Sequence, residues 1–288
     1  MAVVDYKVAG SIAEAVEFLS DAKIPTRVLA GGTDLIIQSK AQGNPIAVVD
    51  VKKIESMMGA VIDDSGLTLG PSMSCVEFTH RADIKAMFPG LVEAAFLIGS
   101  TQVQGRCSVG GNLCNSSPAA DTVPALIAIG AQCVISGPDG ERSVPAEAFV
   151  TGVGKNCMAS NELLTAIKIA KPAAGTSDAY LRFIPRTEMD IAVAGAGVSV
   201  TLDDSGTCIA ARVVIGAVAV TALLVPEAAE ALVGSKLDAT ALQAAADAAS
   251  AASKPITDRR GTAEYRRHVV GVLVKRAAAI AGQRAKEK

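Results

Sequence analysis

Apolar positions along this chain follow first a helical period and then a strand period, and the alternation divides it into parts. The capping box SIAE at 11–14, with Ala15, Val16 and Leu19 at helical spacing, predicts a short amphipathic helix near the start. Residues 27–30 predict a short strand running into two glycines, a helix-like segment follows from Thr33, and 47–51 predict another strand. That is an α/β beginning. From about Lys52 the elements shorten: a strand at 67–70, helices at 74–80 and 91–98, a Gly-rich loop at 109–112 and an apolar helix at 122–129. GPDG at 137–140 has hairpin-turn composition between strand-like 131–136 and 142–144, and 163–169 predict the strand that closes this region. Residues 171–177 look like a linker. Beyond them, β-rich runs at 191–202 and 208–218 flank the turn DDSG, and the rest is helical. Residues 239–253 are Ala-rich; the helix propensity of Ala and the apolar Leu242 favour a packed helix over a low-complexity tract, and 264–284 predict a longer final helix.

A chain of 288 residues accommodates two or three modest subdomains, which this pattern places at residues 1–52, 53–172 and 177–288. Half of the residues are hydrophobic but only 3% are aromatic, so the cores are built from Ala, Val, Leu and Ile. A net charge of −2 provides no broad attraction for a phosphate backbone, which argues against nucleic acid as a partner. From Lys254 onward ten Lys or Arg face three acids, which reads as solvated helix faces or, alternatively, as a docking surface for an acidic partner subunit. The Cys residues at 75, 107, 114, 133, 157 and 208 show no paired metal-ligand spacing, and His80 and His268 are the only two His, so zinc and iron-sulfur sites lack their usual ligands and no metal site is expected on the chain. The opening MAVVDYKVAG has no signal-peptide pattern, and no stretch reaches the roughly 18 apolar residues of a spanning helix. A reducing cytoplasm with free thiols is the expected setting.

Two segments place glycines, a hydroxyl and a polar side chain where the chain turns: Ala30, Gly31, Gly32, Thr33, Asp34 and Leu35, and then Ser108, Val109, Gly110, Gly111 and Asn112. Glycines let backbone N–H groups approach an anion, and a helix starting at the loop adds its positive end, so each segment could cradle a pyrophosphate. Taken singly, such Gly-Gly turns are usually only turns. Neither has the dinucleotide fingerprint, and TGVGKN at 151–156 lacks the Walker spacing. Asp121, after Ser117 in the run NSSPAAD, suits a ribose or an amide edge better than a phosphate, which it would repel. No nucleophile–base or paired-carboxylate constellation is present, His80 and His268 read as surface or cap residues, and no catalytic residue is expected. Chemistry without acid–base groups points to a redox cofactor that the protein binds and orients.

The segments AGGTDL at 30–35 and TQVQGRCSVGGNLCNSSPAADTVPAL at 101–126 resemble the two FAD-binding loops of the flavoprotein subunits of molybdenum hydroxylases, the family of xanthine dehydrogenase FAD subunits and aerobic carbon monoxide dehydrogenase medium subunits. The similarity extends over nearly the whole chain, through DYKVAGSIAEAVEFL, ELLTAIKI and DRRGTAEYRRHVVGVLVKRA. It implies an α/β (α+β) fold of the vanillyl-alcohol-oxidase (PCMH) type: two α/β subdomains embracing FAD, then a C-terminal domain of a small antiparallel sheet and helices. By motif, residues 30–35, Thr101, 108–112 and Ser117 would hold the FAD pyrophosphate and neighbouring groups, Asp121 its polar portion, and Leu164 the isoalloxazine. Arg182 falls where the xanthine dehydrogenase pattern has a flavin-edge Lys. Gly105 and Cys107 depart from the usual Asn and small residue, and SSPAAD is closer in style to the xanthine and N-heterocycle branch. The resemblance further implies a large molybdopterin-binding subunit and a small subunit with two [2Fe-2S] clusters as separate partner chains in a dimer of heterotrimers. Electrons would pass from the clusters through FAD to NAD, a quinone or another acceptor, with a purine, N-heterocycle, aldehyde or carbon monoxide oxidised at the molybdenum centre. A free-standing FAD oxidase of the same fold and a non-enzymatic nucleotide-binding module are the competing readings.

Overall fold

The computed structural model describes residues 3–42 and 44–288, so Met1 and Ala2 of the opening segment lie outside the described residues. Strand β1 (Val3–Val8), helix α1 (Ile12–Ser20), strand β2 (Thr26–Leu29), helix α2 (Leu35–Gln42) and strand β3 (Ile46–Asp50) form the first unit. Its strands run parallel in the order β1-β3-β2. Every residue of central β3 is buried, and its apolar run Ile46–Val49 is that of a parallel strand covered on both faces. β1 is not foreseen by the pattern, because Val4, Tyr6 and Val8 stay exposed and the strand carries no burial signature. The capping box forms: the Ser11 hydroxyl accepts the Glu14 N–H at 3.1 Å, and the Glu14 carboxylate accepts the Gly10 N–H at 2.7 Å. α1 thereby lays Ala15 and Leu19 against Val49 and Val51.

The second unit begins with α3 (Glu55–Met58), β4 (Ala60–Asp63) and β5 (Gly66–Leu69), continues through the helices α4 (Cys75–Thr79), α5 (Ala82–Met87), α6 (Pro89–Phe96), α7 (Thr101–Gln104), α8 (Val109–Asn115) and α9 (Thr122–Ala128), and returns to strands. These are β6 (Gln132–Gly137), β7 (Gly140–Pro145), β8 (Val150–Gly152), β9 (Lys155–Asn156) and β10 (Leu163–Ala170), with the short helix α10 (Ala146–Phe149) before β8. The antiparallel five-stranded sheet has the order β4-β5-β10-β6-β7, so the strand expected to close the region is its middle one. GPDG forms the expected hairpin, with Gly137 opposite Gly140. The Gly-rich segment at 109–112 is not a loop but the first turn of α8, capped by the Ser108 hydroxyl on the Gly111 N–H at 3.0 Å. Its glycine serves close packing: a Cβ on Gly110 would lie 2.3 Å from Pro71 Cβ.

The third unit holds β11 (Thr176–Phe183), β12 (Ala194–Leu202), β13 (Cys208–Gly216) and β14 (Leu223–Leu224) in one antiparallel sheet in that order, then α11 (Pro226–Glu230), α12 (Ala239–Ala252) and α13 (Ala263–Ala285). β11, which the sequence reading did not contain, thus begins inside the linker expected at 171–177. Period-2 alternation in β12 assigns its faces. Ala194, Ala196, Val198 and Val200 pack with α13, whereas Gly195 and Gly197 lie on the side of α9, where a Cβ on Gly197 would come within 2.6 Å of the Pro124 carbonyl oxygen. α9, buried at every position, sits between this sheet and the core of the second unit. The Ala-rich stretch is a packed helix: Ala245, Ala246 and Ala249 are buried, and a Cβ on Gly271 of α13 would stand 2.9 Å from the Ala246 carbonyl oxygen. The basic C-terminal stretch is only partly solvated. Arg266 is buried and donates to the Val193 carbonyl at 2.9 Å and to Asp258 at 2.7 Å, while Arg284 reaches back to Glu93 of α6 and to the Asp178 carbonyl at 3.0 Å.

Candidate functional site

The carboxyl end of β2 delivers Ala30 to Asp34 into a cleft between the first unit and α8 of the second, with the start of β10 as a further wall. The cleft encloses about 1380 Å³ of empty space, counting the part open to solvent. Two glycines shape the first loop. A Cβ on Gly31 would fall 1.8 Å from the Arg106 carbonyl oxygen, so the loop seats directly on the backbone of the second unit. Gly32 takes φ +75, a conformation open to glycine without strain. Lys52 steadies the loop from below, its ammonium 2.8 Å from Asp50 and 3.4 Å from the Ala30 carbonyl. Burial opposes the charge on Asp50, but hydrogen bonds from Lys52 and Tyr6 outweigh it and hold the carboxyl below its usual range.

The two glycine segments differ in how many of their backbone donors are engaged within the protein. Among the described residues, none accepts a hydrogen bond from the backbone N–H groups of 31–35. In α8 three donors of the first turn are engaged: Gly110 N–H goes to the Pro71 carbonyl at 3.0 Å, Gly111 N–H to the Ser108 hydroxyl, and Asn112 N–H to the Ser108 carbonyl at 3.0 Å. Of the two segments expected to cradle a pyrophosphate, the second lines the same cleft with most of its donors engaged within the protein. Only the first presents a run of open donors. What the second provides at the cleft is space, because a Cβ on Gly111 would meet only the Ser108 hydroxyl, at 3.0 Å.

Ala30, Gly31, Gly32, Thr33, Asp34 and Leu35 line the cleft, as do Ser108, Gly110, Gly111, Asn112 and Leu164. The other sequence-derived candidates stand elsewhere. Thr101 is exposed at the start of α7, and Val109 is buried in the core. Ser117 lies in the turn before α9, where its hydroxyl accepts the Ala119 N–H at 3.3 Å. Asp121 and Arg182 form a buried ion pair at 2.7 Å, joined by the Tyr180 hydroxyl 3.0 Å from Asp121. Burial raises Asp121 to about 6, against the pull of Arg182 and the Tyr180 hydrogen bond. The expectation that Asp121 meets a ligand edge is thus replaced by a bond to the third unit. The cleft reaches the neighbourhood of this pair through Asn112, whose side-chain amide oxygen accepts from Thr122 N–H at 3.2 Å and from the Thr122 hydroxyl at 2.7 Å.

Sequence reasoning missed Gln38 and Asn115, which line the cleft and join α2 to α8 by a hydrogen bond of 2.8 Å. Gln38 stands one helical turn after Asp34, a spacing that could have revealed it. Ser72, Asn156 and Ser160 also line the cleft and had no motif to mark them. Among the described residues no group of three His, Cys, Asp or Glu is placed to hold a metal, and no helix is long and apolar enough to cross a membrane. His80 is the exposed C-cap of α4 and His268 is exposed on α13.

Open N–H donors at residues 31–35 fit a pyrophosphate, and Met158, Leu163 and Leu164 supply an apolar wall for a planar ring, so the residues present fit FAD. Residues 2–172 match the FAD binding domain in molybdopterin dehydrogenase, and residues 179–281 match the CO dehydrogenase flavoprotein C-terminal domain. The chain is 34% identical to the carbon monoxide dehydrogenase medium chain of Afipia carboxidovorans over 98% of each chain. It is 27% identical to the xanthine dehydrogenase FAD-binding subunit of Escherichia coli over 94% of this chain and 93% of that one. The solved carbon monoxide dehydrogenase from Hydrogenophaga pseudoflava that lacks the Mo-pyranopterin moiety superposes with a TM-score of 0.93 at 34% identity, covering 98% of both chains. Cleft, fold and sequence agree, and the chain belongs to the FAD-binding subunit family of the molybdenum hydroxylases, whose members are oxidoreductase subunits.

Proposed function

We propose that this chain is the electron-relaying subunit of a molybdenum hydroxylase, holding FAD across the cleft between its first two units. The run of open backbone donors at residues 31–35 carries this reading, because a diphosphate satisfies them with little reorganisation. Gly111 leaves room beside the ligand, Leu164 presents an apolar surface to its ring, and the Gln38–Asn115 bond ties the cleft walls together. When bound, FAD supplies the redox chemistry, accepting electrons from a donor and giving them to an acceptor. Both His side chains lie outside the lining, which favours a relay over an oxidase that must move protons on an organic substrate.

In this reading the donor is a small partner subunit with two [2Fe-2S] clusters, and substrate is oxidised in a large molybdopterin-binding subunit. The assembly is a cytoplasmic dimer of heterotrimers, and NAD or a quinone takes the electrons. Identity is higher to the carbon monoxide dehydrogenase chain, 34%, than to the xanthine dehydrogenase subunit, 27%, although the segment at 116–121 leans in style toward the latter branch. Affinity purification from the native host, with an absorption spectrum and mass spectrometry, tests the reading. Co-purification of a large and a small chain with flavin, iron-sulfur and molybdenum signals supports it. A lone yellow chain that consumes an organic substrate and oxygen would instead establish a free-standing oxidase, and a colourless chain would remove the flavin.

A further inference from the structure

Two cysteines far apart in the sequence meet beside the cleft. Ser74 and Ser108 form an antiparallel bridge, and one step along it the Cys75 N–H donates to the Cys107 carbonyl at 2.8 Å. Cys75 and Cys107 are therefore opposite each other on the same side of the bridge. Opposed residues of an antiparallel pair have Cα atoms about 4.5 to 5.5 Å apart, which lies inside the roughly 4.4 to 6.8 Å that a disulfide spans. Both are free thiols and both are buried, but only Cys107 lines the cleft.

We propose that Cys75 and Cys107 are a redox-active dithiol that closes to a disulfide when a peroxide enters the cleft. Cys107 is the attacking sulfur, because it is the one of the two that lines the cleft, and the neighbouring Cys75 thiol lowers it against burial and the charge of Asp34, whereas Cys75 is raised. The Cys107 thiolate attacks one peroxide oxygen and breaks the O–O bond. Hydroxide leaves and takes up a proton as water, and Cys107 becomes a sulfenic acid. The Cys75 sulfur then attacks the Cys107 sulfur, the S–O bond breaks, and a second water leaves with the Cys75 proton. Two thiols and one hydrogen peroxide give one disulfide and two waters. A reducing thiol returns the pair to its open state.

The location gives the bond a consequence. Cys107 stands between Arg106, whose carbonyl supports Gly31, and Ser108, whose hydroxyl caps α8. Closing the disulfide ties the start of α4 to the backbone on which both cleft loops rest.

The test is exposure of the purified full-length protein to hydrogen peroxide, then denaturation, alkylation of remaining thiols and peptide mass mapping. The expected result is loss of two of the six alkylatable thiols, with a cross-linked peptide joining Cys75 to Cys107, lighter by two hydrogen atoms and released by dithiothreitol. Cys75→Ser abolishes the cross-link and leaves Cys107 as a dimedone-reactive sulfenic acid, whereas Cys208→Ser retains it. Unchanged alkylation of Cys75 and Cys107 after peroxide, or over-oxidation of Cys107 with no cross-link in the unsubstituted chain, would overturn the proposal, and neither outcome requires a variant to fold.

Discussion

The two glycine positions at the cleft should respond in opposite ways to the same methyl group. In Gly31→Ala the new Cβ would stand 1.8 Å from the Arg106 carbonyl oxygen, and ordinary contact begins near 3.4 Å, so backbone must part by about 1.6 Å (3.4 − 1.8). Both sides of that contact are main chain, which cannot rotate away, and overpacking of this kind costs about 1 to 3 kcal/mol. In Gly111→Ala the only close atom is the Ser108 hydroxyl, at 3.0 Å, on a side chain that can give way. Alanine in place of glycine inside a helix is worth up to about 1 kcal/mol, so this variant should be neutral or more stable. Gly111→Leu then extends the side chain toward the cleft while the fold persists, and flavin content should fall sharply. Urea denaturation gives the two stabilities, and the ratio of flavin to protein absorbance gives occupancy. If Gly111→Ala destabilises as much as Gly31→Ala, or Gly111→Leu keeps its full flavin, the assignment of the open face of α8 is wrong.

Removing Asp121 leaves Arg182 buried without its partner, so Asp121→Ala should cost about 3 to 5 kcal/mol in chemical denaturation. Asp121→Leu combined with Arg182→Met should recover much of that loss, and a double variant no better than Asp121→Ala would refute the ion-pair account. Asp178 of β11, whose carboxylate meets the start of α6, carries a pH signature. Burial raises it to about 7 although its carboxylate accepts the Leu91 N–H at 3.1 Å, while an unfolded carboxyl titrates near about 3.9. Between those values the folded state holds the proton and the unfolded state has lost it, so stability falls as pH rises, by on the order of 4 kcal/mol across the window. Asp178→Asn should therefore melt higher than the unsubstituted protein at pH 8, with the gap closing toward pH 4, and a gap independent of pH would exclude this origin. Leu164→Ala should alter the bound flavin's absorption band or potential more than its occupancy, measured by redox titration; a loss of flavin with an unaltered band would assign Leu164 to retention instead.

Local chemistry alone was enough to announce several elements. The Ser11–Glu14 cap, the GPDG hairpin at 137–140 and the Ala-rich α12 follow from side-chain hydrogen bonding, turn preference and helix propensity, which act over a few residues. The turn at AGGTDL was also legible, because glycine at a positive φ is a property of the segment itself. β1 and β11 were not legible. β1 leaves Val4, Tyr6 and Val8 outside, and β11 begins inside a stretch rich in Pro, Gly and Ser that resembles a linker until β12 pairs with it.

Tertiary contact decided the rest. Two segments with nearly the same glycine pattern diverge because one packs its donors onto Pro71 and Ser108 while the other leaves them open, and sequence does not record which acceptors will be near. Asp121 could be read as a ligand group from its loop, yet Tyr180 and Arg182, brought from β11, claim both of its oxygens. Composition and short-range pattern thus determined the class of fold and the glycine turn after β2. Which polar groups remain free to bind anything depends on the long-range partners that folding delivers, since a buried donor or acceptor takes the nearest partner available to it.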